Sequence, residues 1–198
     1  MRFVLATQNP KKLKEMSAIL GELGVEVVSE ADLGVKIEVE ETGETFAENS
    51  LLKAKAVMEA TKLPAIADDS GLCVDALNGG PGVYSARFGG EGLDDTGRYR
   101  LLLQMLHGQA DRRAHFHTTI TCAFPNGDVL QDDGEVKGTI AFAPMGENGF
   151  GYDPVFFVPD KRKTFAQLSA EEKAEISHRG KALRAFKETL KNYLEEHQ

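Results

Sequence analysis

Arg2 to Ala6 reads RFVLA, a short and nearly all-apolar run that gives way at once to Thr7-Gln8-Asn9 and then to proline. This succession constrains the fold more than any other stretch of the chain. An apolar run without alternation is the pattern of a buried strand in an α/β sheet. Pro10 opens a helix, because its missing N–H is no loss in the first turn. Leu13, Met16, Leu20 and Leu23 fall at i, i+3, i+7 and i+10 and give that helix one buried stripe. Gly24 ends it, and Val25 to Val28 reads as a second strand.

The same logic carries further along the chain. Thr45 and Glu48 have capping-box spacing, and Ala47, Leu51, Ala54 and Met58 mark the inner face of a helix reaching about Lys62. Pro64 to Ala67 is another apolar strand. It runs straight into Asp68-Asp69-Ser70-Gly71, with Leu72-Cys73-Val74 as a continuation beyond. Gly79 to Gly82 is a turn-rich loop, and Asp94 to Leu106 is helical with Leu102, Met105 and Leu106 inward. The character then changes. His115 to Phe124 and Val129 to Ile140 are rich in Thr, Val and aromatics, and Pro125-Asn126-Gly127-Asp128 between them is a hairpin signal. Pro154 to Val158 reads as a strand after the glycine-rich loop Gly146 to Gly151. Two helices follow: Ser169 to about Ile176, and Gly180 to Tyr193 with Leu183, Phe186, Leu190 and Leu194 inward. A βαβ-type half therefore joins an antiparallel lobe, and residues 1–198 are expected to form one domain of two lobes sharing a sheet.

Charge narrows the function classes. The chain has 198 residues, 31 acidic against 23 Lys plus Arg, for a net charge of -8. That balance argues against a protein that grips a nucleic-acid polymer through its phosphates, but leaves room for a small anion held by local donors. The two cysteines, Cys73 and Cys122, lie in apolar surroundings at no metal spacing and read as buried free thiols, which suits a reducing cytoplasm. No stretch approaches the ~18 continuous apolar residues of a membrane span, so no membrane association is expected.

Four constellations carry chemistry. Thr7-Gln8-Asn9-Pro10-Lys11-Lys12 is a polar turn at a helix N-terminus, offering unpaired N–H groups and the positive end of the helix dipole. The dipole alone disfavours lysines there, which points to an anion; a capped helix with two solvated lysines is the alternative. Glu40-Glu41 and Asp68-Asp69 are paired carboxylates, the latter at the end of an apolar strand where α/β proteins gather ligands. Carboxylates facing a polyphosphate suit Mg²⁺, which wants hard oxygens and few protein ligands. A solvated charge run is the alternative for Glu40-Glu41. In Gly149-Phe150-Gly151-Tyr152-Asp153-Pro154 the glycines let backbone approach a ligand, and Phe150 or Tyr152 is an aromatic that can stack on a base. Ser177-His178-Arg179-Gly180 joins the last two helices; a capped helix start with surface charges is its plainer reading.

Together with Pro81-Gly82-Val83-Tyr84-Ser85-Ala86-Arg87, these segments closely resemble the inosine triphosphate pyrophosphatase family, the non-canonical purine nucleoside triphosphate pyrophosphatases or XTP/dITP diphosphatases. The matching motifs span residues 6 to 180 in the family's order. The resemblance implies an elongated α/β fold, two lobes and flanking helices around a long mixed sheet with a central substrate cleft. It also implies a cytoplasmic homodimer that hydrolyses ITP, dITP and XTP to the monophosphate and pyrophosphate with Mg²⁺. One departure is visible, Gln8 where many members have glycine, which a positive φ there would make costly.

By that resemblance Asp69 is the general base and, with Glu40, a metal ligand. Thr7, Gln8, Asn9, Pro10, Lys11, Lys12, Lys53, Ser70, Phe150, Gly151, Tyr152, Asp153, Lys173, His178 and Arg179 contact the substrate. Base selection has a physical rationale. Arg179 only donates, and His178 donates in the appropriate tautomer, which matches the 6-keto acceptor of hypoxanthine and xanthine rather than the 6-amino donor of adenine. Two rival readings are a Maf-type nucleotide pyrophosphatase preferring other triphosphates and a catalytically silent nucleotide-binding module.

Overall fold

The computed structural model describes residues 1–197. Its strands are β1 (Arg2–Leu5), β2 (Glu26–Ser29), β3 (Ala65–Val74), β4 (Arg113–Ala123), β5 (Val129–Ile140), β6 (Phe156–Val158) and β7 (Lys163–Thr164). Its α-helices are α1 (Pro10–Gly21), α2 (Phe46–Thr61), α3 (Asp95–Met105), α4 (Ala170–Ile176) and α5 (His178–Glu196). The strands form one mixed sheet in the order β2-β1-β3-β4-β5-β6-β7. β1 pairs in parallel with β2 and β3, whereas β6 pairs antiparallel with β5 and β7. The expected α/β class with a mixed sheet is what the chain adopts.

By its internal packing the chain divides into two compact units: Met1–Asp69 with Thr118–Gly134 and the chain from Ala182, and Ser70–His117 with Glu135–Lys181. In the first unit, Phe3, Val4 and Leu5 of β1 alternate between two covered faces, which leaves only the exposed Arg2 at its start polar. Phe3, Leu5 and Ile66 pack with Met16 and Leu20 of α1 and with Ala182, Leu183, Phe186 and Leu190 of α5. Val4, Ala6, Ala65 and Ala67 pack instead with Ala54 and Val57 of α2. Each face of these strands is thus covered by its own helices.

The inner face of α2 differs from the expected Ala47-Leu51-Ala54-Met58. Its buried residues are Asn49, Ser50, Ala54 and Val57, and Leu51 is only half-buried. Apolar spacing misses this because two of the inward positions are polar and satisfied. Ser50 Oγ lies 2.6 Å from Thr121 Oγ1, and Gln131 Nε2 donates to both Ala47 O and Thr121 Oγ1 at 3.1 and 2.9 Å. The expected Thr45/Glu48 capping box is present.

The second unit has its own core, in which Leu72, Val74, Leu102, Leu106, Phe116, Phe156 and Phe165 meet. Met105 is not part of it: it is 47 % exposed, because the inward stripe of α3 runs through Tyr99, Leu102, Leu103 and Leu106 instead. Arg112 is buried, and its guanidinium donates to three carbonyls: Nε to Ile140 O at 2.7 Å, Nη1 to Leu106 O at 3.1 Å and Nη2 to Ala141 O at 2.9 Å. A cation in that position staples α3's end to the end of β5. Arg112→Ala takes a donor from three carbonyls, of which Leu106 O keeps Gln109 N at 3.0 Å, so we expect a loss of about 2 kcal/mol in denaturant unfolding. A loss below about 1 kcal/mol would show that the carbonyls find other donors. Both cysteines are free and buried as expected, and burial pushes the Cys73 thiol up to about 11.

Candidate active site

The site in the first unit is built on a mismatch in strand length. β1 pairs with β3 only at Val4 with Ala65 and Leu5 with Ile66, and the Ala6 N–H gives the last bond, to Ile66 O at 2.8 Å. β3 runs on to Val74. Asp68 and Asp69 therefore lie inside a ten-residue strand and not at the end of an apolar one. What ends beside them is β1, so the crevice beyond the carboxyl end of a parallel strand is there, supplied by the neighbour. A strand tolerates two adjacent carboxylates because alternation sends them to opposite faces, where each meets a lysine.

Asp68 Oδ2 is 2.7 Å from Lys12 Nζ. Asp69 Oδ1 is 3.7 Å from Lys53 Nζ, which is also 3.4 Å from Glu41 Oε1. Burial holds the Asp69 carboxyl up at about 6 against an ordinary 3.8; Lys53 pulls it down, while Glu41 and Asp68 add to the rise. A carboxylate with that affinity for protons near neutrality is poised for base chemistry.

The Thr7–Asn9 turn caps α1 more completely than its sequence implies. Asn9 Oδ1 accepts from Lys11 N at 3.0 Å and Lys12 N at 3.4 Å, and Thr7 Oγ1 accepts from Asn9 N at 3.2 Å. The expected unpaired backbone donors of Lys11 and Lys12 are thus taken, and the attraction for an anion comes from lysine charge and the dipole. The two lysines diverge: Lys12 points to Asp68, and Lys11 is exposed. Pro10 occupies the first helical position and is exposed. Gln8 has no positive φ, so a side chain there carries no backbone strain. Thr7, Gln8, Asn9, Lys12, Glu41, Lys53 and Asp68 line one cavity of about 390 Å³. Glu40 is exposed and does not line it.

One residue of this cluster carries no motif in the sequence. Asn49, fully buried on α2, accepts from Gly43 N at 2.8 Å and hydrogen-bonds the Asp69 carboxyl. It ties the Glu40–Gly43 loop to the strand carboxylate. Gly43 must be glycine for this, because a Cβ there would stand 2.7 Å from Asn49 Oδ1. The available signal was a polar residue at an inward helical position.

The second unit holds the other candidate group. Asp153 Oδ2 accepts from Phe150 N at 3.1 Å and from Lys173 Nζ at 2.6 Å. Lys173 Nζ stands 4.8 Å from the Phe150 ring centroid, and the Arg179 guanidinium carbon 5.6 Å. His178 stacks on Phe116 at 4.7 Å and 11°. His178 and Arg179 are each 6 % exposed, so they are not the surface charges of a plain helix start. Of the two aromatic candidates, Phe150 is half-buried while Tyr152 sits in the core with its hydroxyl donating to Ser85 O at 2.7 Å. Gly151 N donates to Asp95 Oδ2 at 2.8 Å, so α3 fixes this loop, a contact no motif announced. Ser70, half-buried, follows Asp69 in β3.

Among the described residues, no three His, Cys, Asp or Glu side chains are arranged to hold a metal ion by themselves. Mg²⁺ does not require that. It takes one or two carboxylates and completes its shell with water and phosphate oxygens, and the hard oxygens of Asp69 and the Glu40-Glu41 loop fit it.

Comparisons with known proteins give the chain's relatives in sequence and fold. The chain is 50 % identical over 193 residues to a protein of Thermus thermophilus named dITP/XTP pyrophosphatase, covering 97 % of this chain and 93 % of that one. A solved HAM1 protein from Coxiella burnetii superimposes with a TM-score of 0.92 at 42 % identity, covering 97 % of this chain and 99 % of that one. The Staphylococcus aureus Ham1 protein superimposes with a TM-score of 0.89 at 42 % identity, with full coverage of both chains. The family model matches residues 3–189, and the chain belongs to the Ham1 family.

Proposed function

We propose that this chain hydrolyses the non-canonical purine triphosphates dITP, XTP and ITP to the nucleoside monophosphate and pyrophosphate, which clears deaminated purines from the nucleotide pool. The observation that carries the mechanism is the placement of Asp69: buried, 3.7 Å from Lys53 Nζ and next to a cavity lined by Lys12. The printed name of the Thermus relative, dITP/XTP pyrophosphatase, supports the substrate class.

In this reading the triphosphate lies along Thr7 to Lys12, with Lys12 and Lys53 supplying positive charge. Asp69 accepts a proton from the attacking water and aims its oxygen at the α-phosphorus, so that pyrophosphate leaves. Asn49 keeps the Asp69 carboxyl oriented. Asp69 and Glu40 are the proposed ligands of Mg²⁺, with Glu41 the loop carboxylate that faces Lys53. When bound, the ion lowers the negative charge that repels a nucleophile and steadies the leaving pyrophosphate.

The group in the second unit has the chemistry for a purine base. Phe150 offers a face, and Lys173, His178 and Arg179 offer donors, with Lys173 steadied by Asp153. Ser70, Gly151 and Tyr152 contribute through the backbone in this assignment. Donors facing the 6-keto group of hypoxanthine or xanthine are satisfied, and donors facing the 6-amino group of adenine are not, at about 1–3 kcal/mol for each buried group left unpaired. No helix among the described residues is long and apolar enough to cross a membrane. The proposed setting is the cytoplasm, and the proposed assembly is a homodimer, visible as twice the chain mass in sedimentation. Pyrophosphate release across dITP, XTP, ITP, GTP, ATP and UTP tests the function. Preference for the deaminated purines is expected, and a preference for UTP or ATP contradicts it.

A further inference from the structure

Lys12 and Asp68 belong to separate elements, α1 and β3, and their contact serves no helix or sheet regularity. The carboxylate side chain is only 2 % exposed and the lysine 18 %, with Nζ and Oδ2 2.7 Å apart. Both residues line the same cavity. Their contact offsets two unfavourable placements. A lysine in a first helical turn opposes the dipole, and a carboxylate buried in a strand lacks the water that stabilises its charge. Asp68 also has a cost for the function: a negative charge beside a phosphate site repels phosphate.

We propose that Asp68 is a positioning residue for Lys12: it holds the ammonium in the cavity, in the orientation that a substrate phosphate oxygen meets. The inference rests on reading this cavity as the polyphosphate site. An ammonium has three N–H donors, and Asp68 occupies one, which fixes the directions of the others. The long lysine side chain is thereby ordered before the ligand arrives, so binding does not have to overcome its rotamer freedom. Asp68 touches no reacting atom; it acts through Lys12.

The test measures binding of inorganic tripolyphosphate by calorimetry to the full-length protein in EDTA, so it depends neither on catalysis nor on the base. Wild type, Asp68→Asn, Lys12→Met and the double variant form a cycle. Asp68→Asn is expected to weaken binding by about tenfold in the wild-type background and by less than about twofold in the Lys12→Met background. In turnover with dITP the same substitution is expected to raise KM by a similar factor while kcat changes by less than about threefold, the signature of lost phosphate positioning. Four results overturn the proposal: tighter binding in Asp68→Asn, equal weakening in both backgrounds, no tripolyphosphate binding by wild type, or loss of a cooperative thermal transition in Asp68→Asn. The last would make Asp68 a folding determinant. Failure of dITP turnover with the binding cycle intact would instead count against the proposed reaction and leave the role of Asp68 standing.

Discussion

Asp69→Asn is expected to lower kcat on dITP by about a thousandfold or more, while the variant still unfolds in one cooperative transition. Asparagine keeps the shape and the hydrogen bond with Asn49 but accepts no proton and is a poorer Mg²⁺ ligand, so the loss reports the base and metal-binding roles together. The same variant carries a stability signature of opposite sign. The Asp69 carboxyl binds protons more tightly in the folded protein, at about 6, than its ordinary 3.8 allows. The stability it contributes is therefore full in acid and is lost as pH rises between about 4 and 6. In metal-free protein at pH 8, Asp69→Asn should be the more stable form by about 2 kcal/mol, and that advantage should vanish by about pH 4. A variant less stable than wild type at pH 8 would place the carboxylate in a structural role.

Arg179→Ala should lower kcat/KM for ITP far more than for ATP, shrinking the ITP/ATP ratio by about tenfold or more. The argument is donor counting. Guanidinium has no acceptor, so a base with a 6-keto oxygen gains from it and one with a 6-amino group does not. Arg179 is buried, and its guanidinium carbon lies 5.6 Å from the Phe150 ring, so the effect should come with KM as well as kcat changes. An unchanged ratio would assign Arg179 to phosphate or to folding. Thermal unfolding of the variant separates the last case.

Where local rules decide structure, the sequence was legible. The apolar run of β1, proline at the start of α1, the Thr45/Glu48 box and the Asn-Gly hairpin each depend on a few neighbouring residues, and each stands where expected. The failures share another cause. Asp68 and Asp69 read as the end of a strand because two adjacent acids are poor β residues; lysines from α1 and α2, far along the chain, make them tolerable inside β3. Asn49 was passed over because amphipathic spacing rewards only apolar residues at inward positions. Its burial depends on Gly43 and Asp69, partners that only the fold brings together. Tyr152 and Met105 went the other way. An aromatic in a glycine-rich loop invites a ligand-stacking reading, yet Tyr152 is anchored in the core by Ser85, and Met105 lies just off the buried stripe of α3.

The central claim is that Asp69 directs water at the α-phosphorus. Hydrolysis of ITP in ¹⁸O-labelled water, with products separated and weighed by mass spectrometry, tests it most directly. The account predicts equal amounts of inosine monophosphate and pyrophosphate, with the label in the monophosphate. Label in the pyrophosphate, or orthophosphate as the first product, would contradict it.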